Sequence, residues 1–84
     1  MKNYQEMLDS GMMDMLLDVQ LKTVDDIKEF VRISEEIPSP VILRSNTYVI
    51  DGKSIFGVLS LCWEKPVKLE ISAKYANKFD KWRV

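Results

Sequence analysis

Leu17, Val19 and Leu21 alternate with Asp18 and Gln20, and this period of two over Met15 to Leu21 predicts a half-buried β-strand. The spacing then changes. Val24, Ile27, Phe30, Val31 and Ser34 recur three and four apart, which places them on one face of a helix running to about Glu36. Thr23-Val24-Asp25-Asp26 has the hydroxyl-x-x-acid form of a helix entrance: the Thr hydroxyl can accept from a free backbone N–H, and both Asp complement the positive helix end. Pro38 and Pro40 stop the helix, because proline lacks the donor and disfavours helix in its predecessor. Val41-Ile42-Leu43 predicts a short strand, Arg44-Ser45-Asn46 a turn, and Thr47 to Ile50 a second strand closed by Asp51-Gly52, together a hairpin. Ser54 opens a short helix in which Ile55, Phe56, Val58, Leu59 and Leu61 are too closely set for one narrow face. Gly57 inside it costs about 1 kcal/mol relative to Ala and so implies close approach to a neighbour. Pro66 precedes a last strand with Val67, Leu69 and Ile71 inward, and Tyr75, Phe79 and Trp82, four and three apart, predict a docking helix of about two turns.

The order β-α-β-β-α-β-α predicts an α+β fold, a four-stranded antiparallel sheet with three helices on one face and water on the other. The domain is expected to span residues 15–84, behind a weakly ordered N-terminal leader at residues 1–14. All five methionines fall within Met1 to Met15, where Tyr4, Met7 and Leu8 could alternatively line a short amphipathic helix.

Composition narrows the chemistry. With 84 residues, 46% hydrophobic and 30% charged, there is room for one small domain with a thin core. Twelve basic against thirteen acidic residues leave a net charge of −1, which argues against nucleic acid as a partner. The chain contains no histidine, so imidazole general-base catalysis, imidazole metal ligation and phosphohistidine chemistry are all closed to it. The single cysteine, Cys62, excludes an internal disulfide and a thiolate zinc cluster, and its apolar neighbours predict a buried structural thiol. No carboxylate pair, glycine-rich phosphate loop or serine–base arrangement is discernible, so neither catalytic residues nor a cofactor or metal is expected. The longest apolar runs fall short of a membrane span and no signal peptide is evident, so a cytoplasmic, non-membrane protein is expected. Arg32 and Glu36 are set for an i,i+4 ion pair, and Lys74, Lys78 and Lys81 form a basic stripe that reads as a solvated face.

The stretch Gly52-Lys53-Ser54-Ile55-Phe56-Gly57-Val58-Leu59-Ser60-Leu61 resembles a helix of the histidine-containing phosphocarrier (HPr) family of the bacterial sugar phosphotransferase system. In that family the segment reads G-K-S-I-x-G, an aliphatic residue, then x-S-L. Element order, strand lengths and the Pro-initiated last strand also agree over roughly Leu16 to Trp82, and the resemblance implies the family's open-faced β-sandwich. Divergent HPr-like chains of this sort resemble proteins of Gram-positive bacteria.

The departure lies at the entrance of the first helix. There the family carries its phosphoryl-accepting histidine, with an arginine and a proline close by. The corresponding span, Leu21-Lys22-Thr23-Val24-Asp25-Asp26, has none of the three, and its two aspartates have the wrong sign for an incoming phosphate. Thr23 as acceptor would give a phosphoester without the transfer potential a carrier needs. What the resemblance implies is therefore a non-enzymatic regulatory or protein-interaction module related to the phosphotransferase system. Ser54 matches a serine that a dedicated kinase phosphorylates in Gram-positive members, and it equally suits a plain helix N-cap. Ile55, Phe56 and Leu59 match the apolar patch with which the family docks on partner proteins, components of the phosphotransferase system among the candidates; core packing is the other reading of Phe56. Two alternatives stand beside this: a phosphocarrier using Asp25 or Asp26 as acceptor with Lys22 as its positive partner, and a homo-oligomeric structural protein, such as a homodimer, joined through sheet edges or Phe56.

Overall fold

The computed structural model describes residues 15–46, 48–61 and 64–84. Its elements follow the order β1 (Met15–Val19), α1 (Val24–Glu36), β2 (Ile42–Arg44), β3 (Val49–Asp51), α2 (Ile55–Leu59), β4 (Val67–Ile71) and a C-terminal 3-10 helix (Ala73–Trp82). The four strands form one antiparallel sheet in the order β1-β4-β2-β3. The expected α+β class and the four-stranded antiparallel sheet with three helices are present.

One row of side chains runs across the whole sheet. Leu17, Leu69, Leu43 and Ile50 stand opposite one another on the four strands, and all are buried. Since alternate residues on a strand point to opposite faces, that row fixes the inner face, and Val19 and Ile71 extend it. Against it the helices contribute Ile27, Phe30 and Val31 from α1, Val58 from α2, and Ala76, Phe79 and Trp82 from the C-terminal helix. Phe30, Phe79 and Trp82 meet as an aromatic trio, with ring centroids 5.0 to 6.1 Å apart, the tilted and edge-on arrangements that ring quadrupoles favour. The opposite face carries Leu16, Asp18 and Lys68 exposed.

Three sequence expectations need correcting. Val24, expected on the buried face of α1, is 57% exposed: it is the first helical residue, and the buried face is carried by Ile27, Phe30, Val31 and Ser34. Ser34 is tolerated there because its buried hydroxyl is paired, donating to the Phe30 carbonyl at 2.8 Å. The C-terminal segment is a 3-10 helix, so its buried stripe is Ala76, Phe79 and Trp82, three apart, and Tyr75 is only half-buried at its margin. The hairpin strands are shorter than their apolar runs suggested, since Val41 precedes β2 and Tyr48 precedes β3. Residues 1–14, Thr47 and Cys62-Trp63 lie outside the described residues, and with them the expectations of a leader at 1–14 and of a buried thiol at Cys62.

Trp82, Arg83 and Val84 cover part of one edge of the sheet. Gln20 N–H donates to the Trp82 carbonyl at 2.9 Å, Val84 N–H donates to the Asp18 carbonyl at 3.1 Å, and Arg83 bridges Val19. An edge strand's unpaired backbone groups invite association, and here part of the β1 edge is occupied by Arg83 and Val84.

Candidate functional site

Two places carry the chemistry the sequence singles out: the entrance of α1 and the surface of α2.

At the entrance of α1, Thr23 adopts extended backbone and its hydroxyl accepts from Asp26 N–H at 3.0 Å. The Asp26 carboxylate reaches back to accept from Thr23 N–H at 3.3 Å and from Lys22 N–H at 3.0 Å. This is the reciprocal capping box that the sequence spacing predicts. The Lys22 amide, as the main influence, holds the Asp26 carboxyl below the usual carboxylate range; partial burial opposes it, and the nearby Trp82 indole and Thr23 add to the lowering. The Trp82 Nε1–H is buried and closes no hydrogen bond of normal geometry, so the Lys22 and Thr23 amides are the groups that hold the carboxylate. Asp26 is thus committed to holding the helix start, while Asp25 and Lys22 are exposed.

The ten residues Gly52 to Leu61 divide cleanly between structural and exposed positions. A Cβ on Gly52 would lie 2.7 Å from Val41 Cγ1, 3.1 Å from the Val41 carbonyl oxygen and 3.2 Å from Phe30 Cε1. Only glycine lets its N–H close the 2.7 Å hydrogen bond to that same Val41 carbonyl. Lys53 donates from Nζ to the carbonyl of Ile37, the residue capping the end of α1, at 2.8 Å. Ser54 is the N-cap of α2, its hydroxyl accepting from Gly57 N–H at 3.2 Å. Gly57 sits against β3, where a Cβ would come within 2.8 Å of Ile50 Cγ2, which identifies the close approach implied by a glycine in this helix. Val58 and Leu61 are buried, Ile55 is half-buried against the core, and the Ser60 hydroxyl donates to the Gly57 carbonyl at 2.6 Å.

The two residues left over are Phe56, 81% exposed, and Leu59, 43% exposed. They lie three apart and so adjacent on the surface of α2, with Ile55 at their inner margin. They also occupy the two variable positions of the resemblance's pattern, so every invariant position has a packing or capping task here. Core packing is excluded for Phe56. The tasks of Gly52 and Lys53 were not legible in the sequence: an Asp-Gly pair signals a turn, and only the third dimension brings Val41, Phe30 and the Ile37 carbonyl beside it.

Elsewhere the charges pair as surface groups. Arg32 and Glu36 form the expected i,i+4 pair at 3.1 Å, and Lys81 of the basic stripe reaches Glu29 at 2.8 Å. Among the described residues no cluster of three or more metal-ligating side chains occurs, and no helix is long and apolar enough to cross a membrane. Comparison with known proteins finds no matching family model, no matching curated protein and no matching solved structure.

Proposed function

We propose that the chain is an HPr-like protein without phosphohistidine chemistry, acting as a non-catalytic interaction or regulatory module related to the sugar phosphotransferase system. Phe56 carries this reading: a phenyl ring 81% exposed beside Leu59, on a helix whose remaining apolar residues are packed. Fully burying such a ring on a partner is worth about 1.5–3 kcal/mol, so this one side chain can supply roughly a tenfold to hundredfold gain in affinity. The element order and the Gly52–Leu61 pattern support the family reading, and the absence of histidine removes the family's acceptor. Ser54, at the mouth of α2, is the proposed regulatory phosphorylation site: two charges added next to Ile55 and Phe56 would oppose an apolar contact.

The test is capture of protein partners, phosphotransferase components included, by the full chain and by Phe56→Asp. The substitution touches an exposed side chain, so folding should be retained while capture is lost; equal capture by both forms rejects the patch. Incubating the chain with the general phosphotransferase enzyme and labelled phosphoenolpyruvate tests the chemistry. Label held in a hydroxylamine-labile form would instead establish an aspartyl carrier.

A further inference from the structure

The sequence contains a single Asp-Gly bond and no Asn-Gly bond, and that one, Asp51-Gly52, falls at the end of β3. Glycine has no side chain to hinder its own amide, so this is the dipeptide in which a backbone nitrogen most readily attacks the preceding carboxyl group. In that reaction the Gly52 nitrogen bonds to Asp51 Cγ, the Cγ–OH bond of the protonated carboxyl breaks, and the hydroxyl leaves with the amide proton as water. A water molecule then opens the cyclic imide at either carbonyl, giving aspartate or isoaspartate without change of mass. The fold holds the reacting groups apart. Asp51 is exposed to water, but Gly52 is buried and its N–H donates to the Val41 carbonyl at 2.7 Å. Asp51 Oδ1 accepts from Lys53 N–H at 2.9 Å, and the Asp51 carbonyl accepts from Ser54 N–H at 3.0 Å. The attacking nitrogen can neither lose its proton nor turn toward Cγ until the bond to Val41 is broken.

We propose that Asp51 is a fold-gated isomerisation site: it is shielded while β3 is paired, converts to isoaspartate when this region opens, and in that form is barred from the native fold. Isoaspartate lengthens the main chain by one methylene just before Gly52. The packing has no room to absorb the shift, since even a Cβ on Gly52 would lie 2.7 Å from Val41 Cγ1 and 3.2 Å from Phe30 Cε1. Losing the Gly52–Val41 bond loosens β3 from β2, and β3 carries Ile50, the residue against which Gly57 seats α2. Regions of a native protein open separately, with their own free energies, so the rate of conversion reports the opening of this one. The modification is thus a chemical record of having opened, and the partner class that recognises it is a methyltransferase acting on isoaspartyl carboxylates.

The experiment incubates the full chain in native buffer and in guanidinium chloride at one pH and temperature. Isoaspartate is counted by labelling with an isoaspartyl methyltransferase and located by peptide mapping, and hydrogen exchange of the Gly52 amide is followed in parallel. Conversion at Asp51 should be at least about tenfold slower in native buffer than in denaturant. In Gly57→Ala, which loosens α2 against β3, the native-buffer rate should rise by the same factor as Gly52 amide exchange, about 5- to 30-fold. Asp51→Ala should remove the label. Equal rates in native and denaturing solution, no isoaspartate in the denatured chain, or label undiminished in Asp51→Ala each overturn the proposal. A conversion rate that does not follow Gly52 exchange overturns the gating, and purified isoaspartyl chain that refolds with the Gly52 amide protected again overturns the exclusion from the native fold.

Discussion

Gly57→Ala sets two opposing effects against each other at the seat of α2. Alanine is favoured over glycine inside a helix by about 1 kcal/mol, less in a helix of only five residues (Ile55–Leu59). Against this, the new methyl would start 2.8 Å from Ile50 Cγ2, closer than nonbonded carbons approach. That atom branches directly from Cβ of a buried residue on β3, so it cannot swing aside as the tip of a long side chain would. Overpacking of this kind costs about 1–3 kcal/mol, which leaves a net destabilisation of roughly 1–2 kcal/mol. For a domain of this size the melting temperature should fall by about 4–16 °C. Chemical denaturation of the parent, Gly57→Ala, Ile50→Ala and the double variant separates the causes. Ile50→Ala alone should cost about 2–3 kcal/mol, at the low end for a buried aliphatic truncation at a sheet edge. In the double variant the clash is gone, so the two effects should sum to at least about 1 kcal/mol less than the separate losses. A Gly57→Ala protein as stable as the parent, or strict additivity in the cycle, would refute the claim that α2 is seated by contact with Ile50.

Other outcomes can be checked in the same way. Thr23→Ala should cost about 1 kcal/mol by removing the α1 cap, measured by urea denaturation. Asp26 titrates below the ordinary carboxylate range, so its stabilising contribution is present above about pH 4 and is lost as pH falls through its lowered folded value. The stability gap between the parent and Asp26→Asn should accordingly narrow below about pH 4; a gap constant from neutral pH to strong acid would contradict the capping role. Phe79→Ala removes one fully buried ring of the aromatic trio and should cost about 3–5 kcal/mol, enough that retained near-ultraviolet circular dichroism at ambient temperature would argue against the packing described. Deleting Arg83 and Val84 removes the Val84–Asp18 hydrogen bond and uncovers part of the β1 edge; a loss of about 1 kcal/mol and concentration-dependent association in sedimentation are expected.

Much of the architecture can be read from local pattern because its causes are local. Alternation fixes which face of β1 and β4 is buried, Thr23 and Asp26 are close enough in sequence to cap α1 unaided, and Pro66 marks the start of β4. These choices depend on the chain's own periodicity and on hydrogen bonds spanning three or four residues, so the amino-acid order alone determines them. Distant partners decided the rest. Whether Phe56 is core or surface depends on which side of α2 meets β3, where Gly57 lies against Ile50, and helical spacing alone does not contain that choice. The C-terminal segment shows the same limit: Tyr75, Phe79 and Trp82 suit an α-helix, yet the pull of Ala76, Phe79 and Trp82 onto Phe30 and the sheet selects three residues per turn. The opposition of Arg44 to Lys68 is likewise set by strand register, which no window along the sequence contains. Short-range hydrogen bonding and periodicity wrote the elements into the chain, whereas exposure, charge proximity and the shape of both candidate surfaces arose only when burial brought remote segments together.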